Sequence, residues 1–254
     1  MIKTVINITE MASIDNALTR GDNSALKVIE VSSDIKQDNN KTIKIKIVGP
    51  NINKVDNKAT EPPKSTTEII INKDGALVFI IRGWLPKKEA DELCEKYRKD
   101  VPFDLRTEQL RKTYACGDDT KYSYAGSTLN LWLSEAKEHR DRIEKEFKFP
   151  ANSCLLNQYK DGTEGIGWHS DKEVLESYNN AVYTVSLGGS RHFQLREKYP
   201  KVKPTKRGED IITVMLNSGD LVGMLGKTQD LYAHCIPKRA NAEYRISESF
   251  RLLR

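Results

Sequence analysis

Three residues in the second half of the chain have the types and spacing to hold a metal ion. His169-Ser170-Asp171 sets two donors two positions apart. In a strand such residues leave the same face, so both reach one ion. His234 comes sixty-three residues after Asp171, on a later strand-like stretch. Two imidazoles and one carboxylate cap one side of an octahedral metal and leave the other side open. Non-heme iron(II) oxygenases use that arrangement to admit a cosubstrate and O2. The same donor types also suit zinc with a bound water, so the ligands alone leave a zinc hydrolase open. Of the other candidate donors, His139 lies in a charged helical stretch and is expected in solvent. His192 follows Gly188-Gly189 in a strand and reads as structural. Cys235 adjoins His234 and points to the opposite face, outside the coordination shell.

A second chemical pattern closes the chain. Arg245 and Arg251 are an even number of positions apart in Arg245-Ile-Ser-Glu-Ser-Phe-Arg251, so both side chains leave one face of a strand. A regular strand separates them by about 20 Å, yet two long side chains leaning together can bracket a small dicarboxylate. Arginine suits that task because its planar fork donates two parallel hydrogen bonds to a carboxylate. Two surface arginines in a basic chain give the same pattern.

These residues need a scaffold, and the text after Pro150 supplies one. Short apolar stretches recur at Cys154–Tyr159, Ile166–Asp171, Ala181–Leu187, His192–Arg196, Ile211–Leu216, Asp220–Leu225, Leu231–Ile236 and Tyr244–Leu252. Gly, Asn, Asp and Pro separate them. Such a series predicts a mainly β architecture, two antiparallel sheets closing as a barrel or jelly roll with helices outside. Upstream, Glu68–Asn72 and Ala76–Ile81 flank Asp74-Gly75, a hairpin signal. Pro86–Lys99 reads as a helix with Ala90, Leu93, Cys94 and Tyr97 on one face. A second helix runs from a cap at Ser134 to Phe147 and buries Ala136, Ile143 and Phe147.

Composition divides the 254 residues in two. All nineteen aromatic residues lie from Phe79 onward. The opening stretch is rich in Asn, Lys, Asp and Thr, so residues 1–66 are expected to be a largely disordered arm and residues 67–254 the folded domain. Within the arm, Thr42–Val48 alternates with Ile43, Ile45 and Ile47 on one face, which predicts a short strand. The four cysteines form no C-x-x-C pair and read as reduced thiols of an intracellular protein. No stretch has the length of a membrane span, and the first residues lack a signal-peptide pattern. A net charge of +5 suits a phosphate-bearing partner without requiring one.

In order and spacing, Asn157-x-Tyr159, His169-x-Asp171, His234 and Arg245-x5-Arg251 together resemble the AlkB family of nucleic acid demethylases. The resemblance covers about residues 76–254, and the combination is far more specific than any of its parts. It implies a double-stranded β-helix fold that uses Fe(II), 2-oxoglutarate and O2. It also implies that Asn157 and Tyr159 hydrogen-bond 2-oxoglutarate, that Arg245 pairs with its distal carboxylate, and that Arg251 supports the metal end. Where family members often carry Asn and then an apolar residue after the first arginine, this chain has Ser247 and Glu248. The shorter reach of a hydroxyl bears on cosubstrate affinity, not on the reaction class.

The resemblance also implies a substrate. Tyr122-Ser123-Tyr124 looks like the lid of the DNA- and RNA-repair branch, with Tyr124 stacking on an extruded base and Tyr122 bonding near it. Glu173 stands where that branch reads the base edge; an alternating strand and a solvated charge are the plain readings of these residues. The segment between Lys99 and Thr113 is too short for the aromatic wedge of duplex-repairing relatives. Expected partners are therefore alkylated single-stranded DNA or RNA, with duplex DNA also a candidate but repaired more slowly, and with the chain acting as a monomer away from membranes. Lys198–Arg207 carries five positive charges before any acid after Lys198 and reads as a phosphate-contacting loop or as a solvated hairpin. Two rival functions stand beside this one: an oxygenase acting on a protein or small molecule, and an inactive nucleic-acid-binding module.

Overall fold

The computed structural model describes residues 29–32, 44–47, 65–105, 111–119, 123–124, 127–171, 180–200 and 208–253. The described chain opens with β1 (Ile29–Ser32), β2 (Lys44–Ile47), β3 (Thr66–Lys73), β4 (Ala76–Arg82) and α1 (Lys87–Asp100). Next come β5 (Asp104–Leu105), β6 (Lys112–Gly117), β7 (Ser123–Tyr124), β8 (Ser127–Thr128) and α2 (Ser134–Phe147). The second half is built from β9 (Ser153–Tyr159), β10 (Ile166–His169), β11 (Val182–Gly188), β12 (Arg191–Glu197) and β13 (Ile212–Leu216). It ends with β14 (Leu221–Gly226), α3 (Thr228–Leu231), β15 (Tyr232–Ile236) and β16 (Arg245–Arg251).

The strands form two main antiparallel sheets. The larger has the order β1-β2-β3-β4-β14-β11-β16-β9-β6-β5, the smaller β10-β15-β12-β13, and β7-β8 is a separate hairpin. The crossed strand order, with β4 beside β14 and β11 beside β16, is that of a jelly roll, as the strand series predicts. The β3–β4 hairpin turns at Asp74 (φ 54°) and Gly75 (φ 84°), the two left-handed positions that a two-residue turn between twisted strands demands. Strand β2 falls inside the alternating Thr42–Val48 and pairs with both β1 and β3; the remainder of the leading arm lies outside the described residues.

Alternation along the strands sorts side chains into two cores. Val78, Ile80, Val182, Phe193, Leu195, Leu216, Val222 and Met224 fill the space between the sheets. On the outer face of the larger sheet, Phe79, Tyr183, Val185, Leu187, Ile246 and Phe250 pack with α1 and α2. Helix α1 buries Ala90, Leu93, Cys94 and Tyr97, the face that periodicity marks. All four cysteines are buried thiols, and no helix among the described residues is long and apolar enough to cross a membrane.

Helix α2 corrects two expectations. Leu133 occupies the N-cap and makes no side-chain cap, while Ser134 is already helical and bonds Glu135. His139 is buried rather than solvated, with Nδ1 2.6 Å from Glu248 Oε2. The cause is the helix's own stripe: Ala136, His139 and Ile143 share one face, so the imidazole goes wherever its apolar neighbours are buried. Phe147 is half-buried and stacks on Tyr183 with centroids 4.7 Å apart.

Candidate active site

Sheet register brings the two histidines together. His169, the last residue of β10, lies directly opposite His234 of β15, and their ring centroids are 4.2 Å apart. His169 Nδ1 sits 2.9 Å from the carbonyl of Gly167, which fixes the ring and leaves Nε2 for a metal. His234 lies beside Leu195 and Phe193 of β12, so apolar walls shield its ring.

Asp171 is not in the strand. Strand β10 ends at His169, so the carboxylate is aimed by tertiary contacts rather than by the period of a strand. Its Oδ1 accepts a 2.8 Å hydrogen bond from Arg251 Nη2. Its backbone N–H donates to Gln229 Oε1 at 2.9 Å. Oδ2 lies 3.8 Å from His234 Nε2, is buried, and accepts no hydrogen bond. Together His169, Asp171 and His234 offer one ligand atom each, all within 4.8 Å of one another. Cys235 stays outside this group and contacts Gln194 on the other face.

The protonation states suit a metal. Burial works against the charge on Asp171, but Arg251, His234 and His169 outweigh it and bring its pKa to about 2. For His234, burial is the main cause of a pKa lowered to about 4, with Asp171 opposing and His169 assisting. Near neutrality the group is one carboxylate facing a neutral imidazole at His234. A buried carboxylate oxygen without a partner is costly, and a divalent cation between it and the imidazoles removes that cost. The residues present therefore fit an iron(II) ion on three protein ligands.

The second pattern forms a polar floor inside the jelly roll. Arg245 is buried, lies opposite Tyr159 of β9, and has its guanidinium carbon 5.0 Å from that ring. Its Nη2 donates to Ser186 Oγ at 3.1 Å, while Nε and Nη1 find no hydrogen-bond partner. Burial lowers the Arg245 pKa, partly offset by Tyr159. Two unmet donors on a buried cation are what a ligand carboxylate satisfies. Asn157, next to Ser247 in register, accepts from Arg111 Nε at 2.9 Å. Arg251, six residues after Arg245, is turned onto Asp171 of the candidate metal group.

The remaining expected residues are placed less fully. Tyr124 lies in β7 with its backbone paired to Ser127. Tyr122, Glu173 and Lys201–Arg207 lie outside the described residues. Among the described residues, three buried polar side chains that bond the expected site residues were not singled out by the sequence: Arg111 on Asn157, Ser186 on Arg245, and Gln229 on Asp171. Each contact spans at least forty-six positions, and none has a local spacing signal.

Comparison with known proteins agrees with this geometry. Residues 77–252 match the model of the 2OG-Fe(II) oxygenase superfamily. The mouse alpha-ketoglutarate-dependent dioxygenase alkB homolog 3 is 30% identical over 201 residues, covering 72% of this chain and 69% of that protein. The human DNA oxidative demethylase ALKBH2 is 29% identical over 167 residues, covering 60% of this chain and 64% of that protein. The structure of OsALKBH1 superposes with a TM-score of 0.51 at 16% identity, covering 72% of this chain and 99% of that one, a likeness of fold. With a jelly roll, a converging His-Asp-His group and these relatives in hand, the chain belongs to the AlkB family within the 2OG-Fe(II) oxygenase superfamily.

Proposed function

We propose that this protein is an iron(II)- and 2-oxoglutarate-dependent dioxygenase that removes N-alkyl groups from nucleic acid bases. One observation carries the proposal: Asp171 Oδ2 is buried beside His234 Nε2 and accepts no hydrogen bond, while buried Arg245, on the strand that also carries Arg251, keeps two donors without hydrogen bonds. A metal answers the first and a dicarboxylate answers the second. When bound, iron(II) with 2-oxoglutarate and O2 supplies oxidation of the N-alkyl carbon; a methyl group leaves as formaldehyde, and 2-oxoglutarate leaves as succinate and CO2.

The chain's own residues bind and orient. His169, Asp171 and His234 hold the metal from one side. Arg245 takes the distal carboxylate of 2-oxoglutarate, with Tyr159 and Asn157 flanking it and Arg251 keeping Asp171 in place. Tyr124 stacks on a base turned out of its strand, with Tyr122 and Glu173 reading its edges. Substrates are lesions such as 1-methyladenine and 3-methylcytosine, in single-stranded DNA or RNA, approached by a monomer inside the cell. The relatives named for oxidative DNA demethylation support the nucleic acid over a protein substrate. The test is formaldehyde release from methylated DNA and RNA oligonucleotides with Fe(II) and 2-oxoglutarate. Consumption of 2-oxoglutarate without base repair on any of them would overturn the substrate assignment.

A further inference from the structure

We infer that Gln229 is a positioning residue of the metal centre: its side-chain oxygen holds the turn that aims Asp171, and its loss weakens metal binding without altering the ligands. The inference rests on the metal-site reading above. Its first support is where Asp171 sits. The residue falls two positions past the end of β10, so no sheet hydrogen bond fixes its backbone. Instead, the backbone N–H of Asp171 donates to Gln229 Oε1 at 2.9 Å, and Ser170 Oγ donates to the carbonyl of Tyr232 at 2.8 Å. Both partners belong to the segment that leads into β15 and His234. The turn after His169 is thus pinned to the piece of chain that delivers the third ligand.

The amide orientation follows from chemistry. A backbone N–H pairs only with the oxygen of the side-chain amide, which leaves the NH2 group facing Met224 Sδ at 3.7 Å. Gln229 is 5% exposed, so no bulk water stands ready to replace it. Its helix is itself anchored on three sides. Thr228 Oγ1 bonds the backbone of Leu77 in both directions, as acceptor at 3.2 Å and donor at 3.1 Å. Lys227 N–H donates to Gly75 at 2.9 Å. Lys198 Nζ donates to the Gln229 carbonyl at 2.6 Å. A side chain held this way presents its oxygen at a fixed point, which is what preorganising a ligand from behind requires.

Asp171 then has two supports of different kinds. Arg251 fixes the carboxylate from its Oδ1 side; Gln229 fixes the backbone from which the carboxylate projects. Removing the Gln229 oxygen takes away the acceptor of this part-buried N–H and frees the turn, so Oδ2 spends less time opposite the imidazoles.

The experiment compares four full-length proteins: wild type, Gln229→Met, Gln229→Glu and Gln229→Ala. Met keeps length and burial without an oxygen acceptor; Glu keeps an oxygen acceptor at the same reach. Each metal-free protein is titrated with Co(II), and the Fe(II)·2-oxoglutarate complex is recorded anaerobically by its visible charge-transfer band. Thermal melts of the metal-free proteins report folding. The expected result is a metal Kd raised about 10-fold or more in Gln229→Met, as supports behind metal ligands show, with the melt little changed and affinity restored in Gln229→Glu. Gln229→Met binding Co(II) as tightly as wild type overturns the inference, as does Gln229→Glu binding as weakly as Gln229→Met. Gln229→Ala, if folded, is expected to match Gln229→Met. Because Co(II) affinity needs no turnover, failure of base repair and failure of this inference are read separately.

Discussion

The two faces of β16 are built on opposite rules. Residues 245, 247, 249 and 251 face the smaller sheet, and there Arg245 keeps two unmet donors while Arg251 bonds Asp171 of the candidate metal group. Residues 246, 248 and 250 face the helices, and there both oxygens of the fully buried Glu248 are met, by Tyr97 at 3.0 Å and His139 at 2.6 Å. One strand therefore carries a face left unsatisfied for ligands and a face satisfied within the protein. Glu248, where family members often carry an apolar residue, belongs to the second. Its carboxylate ties β16 to α1 and α2 and does not reach the cosubstrate side. Of the two departures from the family motif, only Ser247 lies on the ligand face.

The largest expected effect breaks the inner face. His169→Ala, Asp171→Ala and His234→Ala each reduce formaldehyde release to background, because three ligands act as one unit on a weakly held ion. Thermal melts without metal stay close to wild type for the two histidine variants, while Asp171→Ala melts lower because it strips Arg251 of its buried carboxylate partner. Retained turnover in any one removes that residue from the coordination shell.

Arg245→Met sharpens the comparison. Losing the charge-assisted partner of a buried carboxylate costs about 2–5 kcal/mol, so the KM for 2-oxoglutarate rises about 30-fold or more. Yet the unliganded protein keeps or gains stability, since the substitution removes a buried cation with two unmet donor atoms at the cost of one bond to Ser186. An unchanged KM, or a melt lowered as far as that of a Glu248 variant, contradicts the assignment of this face to ligand binding.

Glu248→Ala is the mirror experiment. It leaves His139 and Tyr97 without their shared partner and costs about 3–5 kcal/mol of stability, the range for breaking a buried pair. The KM for 2-oxoglutarate stays within about twofold, provided the assay is run well below the lowered melt. A large rise in KM places Glu248 among the cosubstrate residues after all.

What the sequence discloses follows the range of each interaction. The positions of His169, His234 and Arg245 are legible because two-residue periodicity and motif order are local, and the strands carrying them fall within two residues of where turns and alternation put them. The Glu248–His139 pair is not legible, because 109 positions separate its members and a histidine among charges looks solvated until its helix face is docked. Asp171 is a mixed case. Its place beside the histidines reads from His-x-Asp, but the strand expected to carry it stops at His169, and the side-chain bond to its backbone comes from Gln229, fifty-eight positions away.

The smallest expected effect is a pH dependence confined to the helix-facing side. Burial disfavours the His139 imidazolium, but the Glu248 carboxylate outweighs it, with help from Glu89 and against Arg142, so the pKa lies above its ordinary value of 6.5. The Trp84 ring lies edge-on to His139, and the Tyr97 hydroxyl, its pKa pushed far up by burial and by Glu248, stays protonated. A pKa raised on folding means the folded protein binds the proton more tightly than the unfolded chain. The stabilisation is therefore fully present below pH 6.5 and is lost as pH rises through the folded value. His139→Gln removes the titrating group and keeps a polar side chain in reach of Glu248. Urea unfolding of both proteins without metal, across this range, should show wild type most stable relative to the variant at the acidic end and the gap narrowing with rising pH. The narrowing should survive in an Asp171→Asn background, where the inner-face carboxylate no longer titrates. A gap that stays constant, or widens toward alkaline pH, means that His139 is held neutral and that the outer face is joined by a neutral hydrogen bond rather than an ion pair.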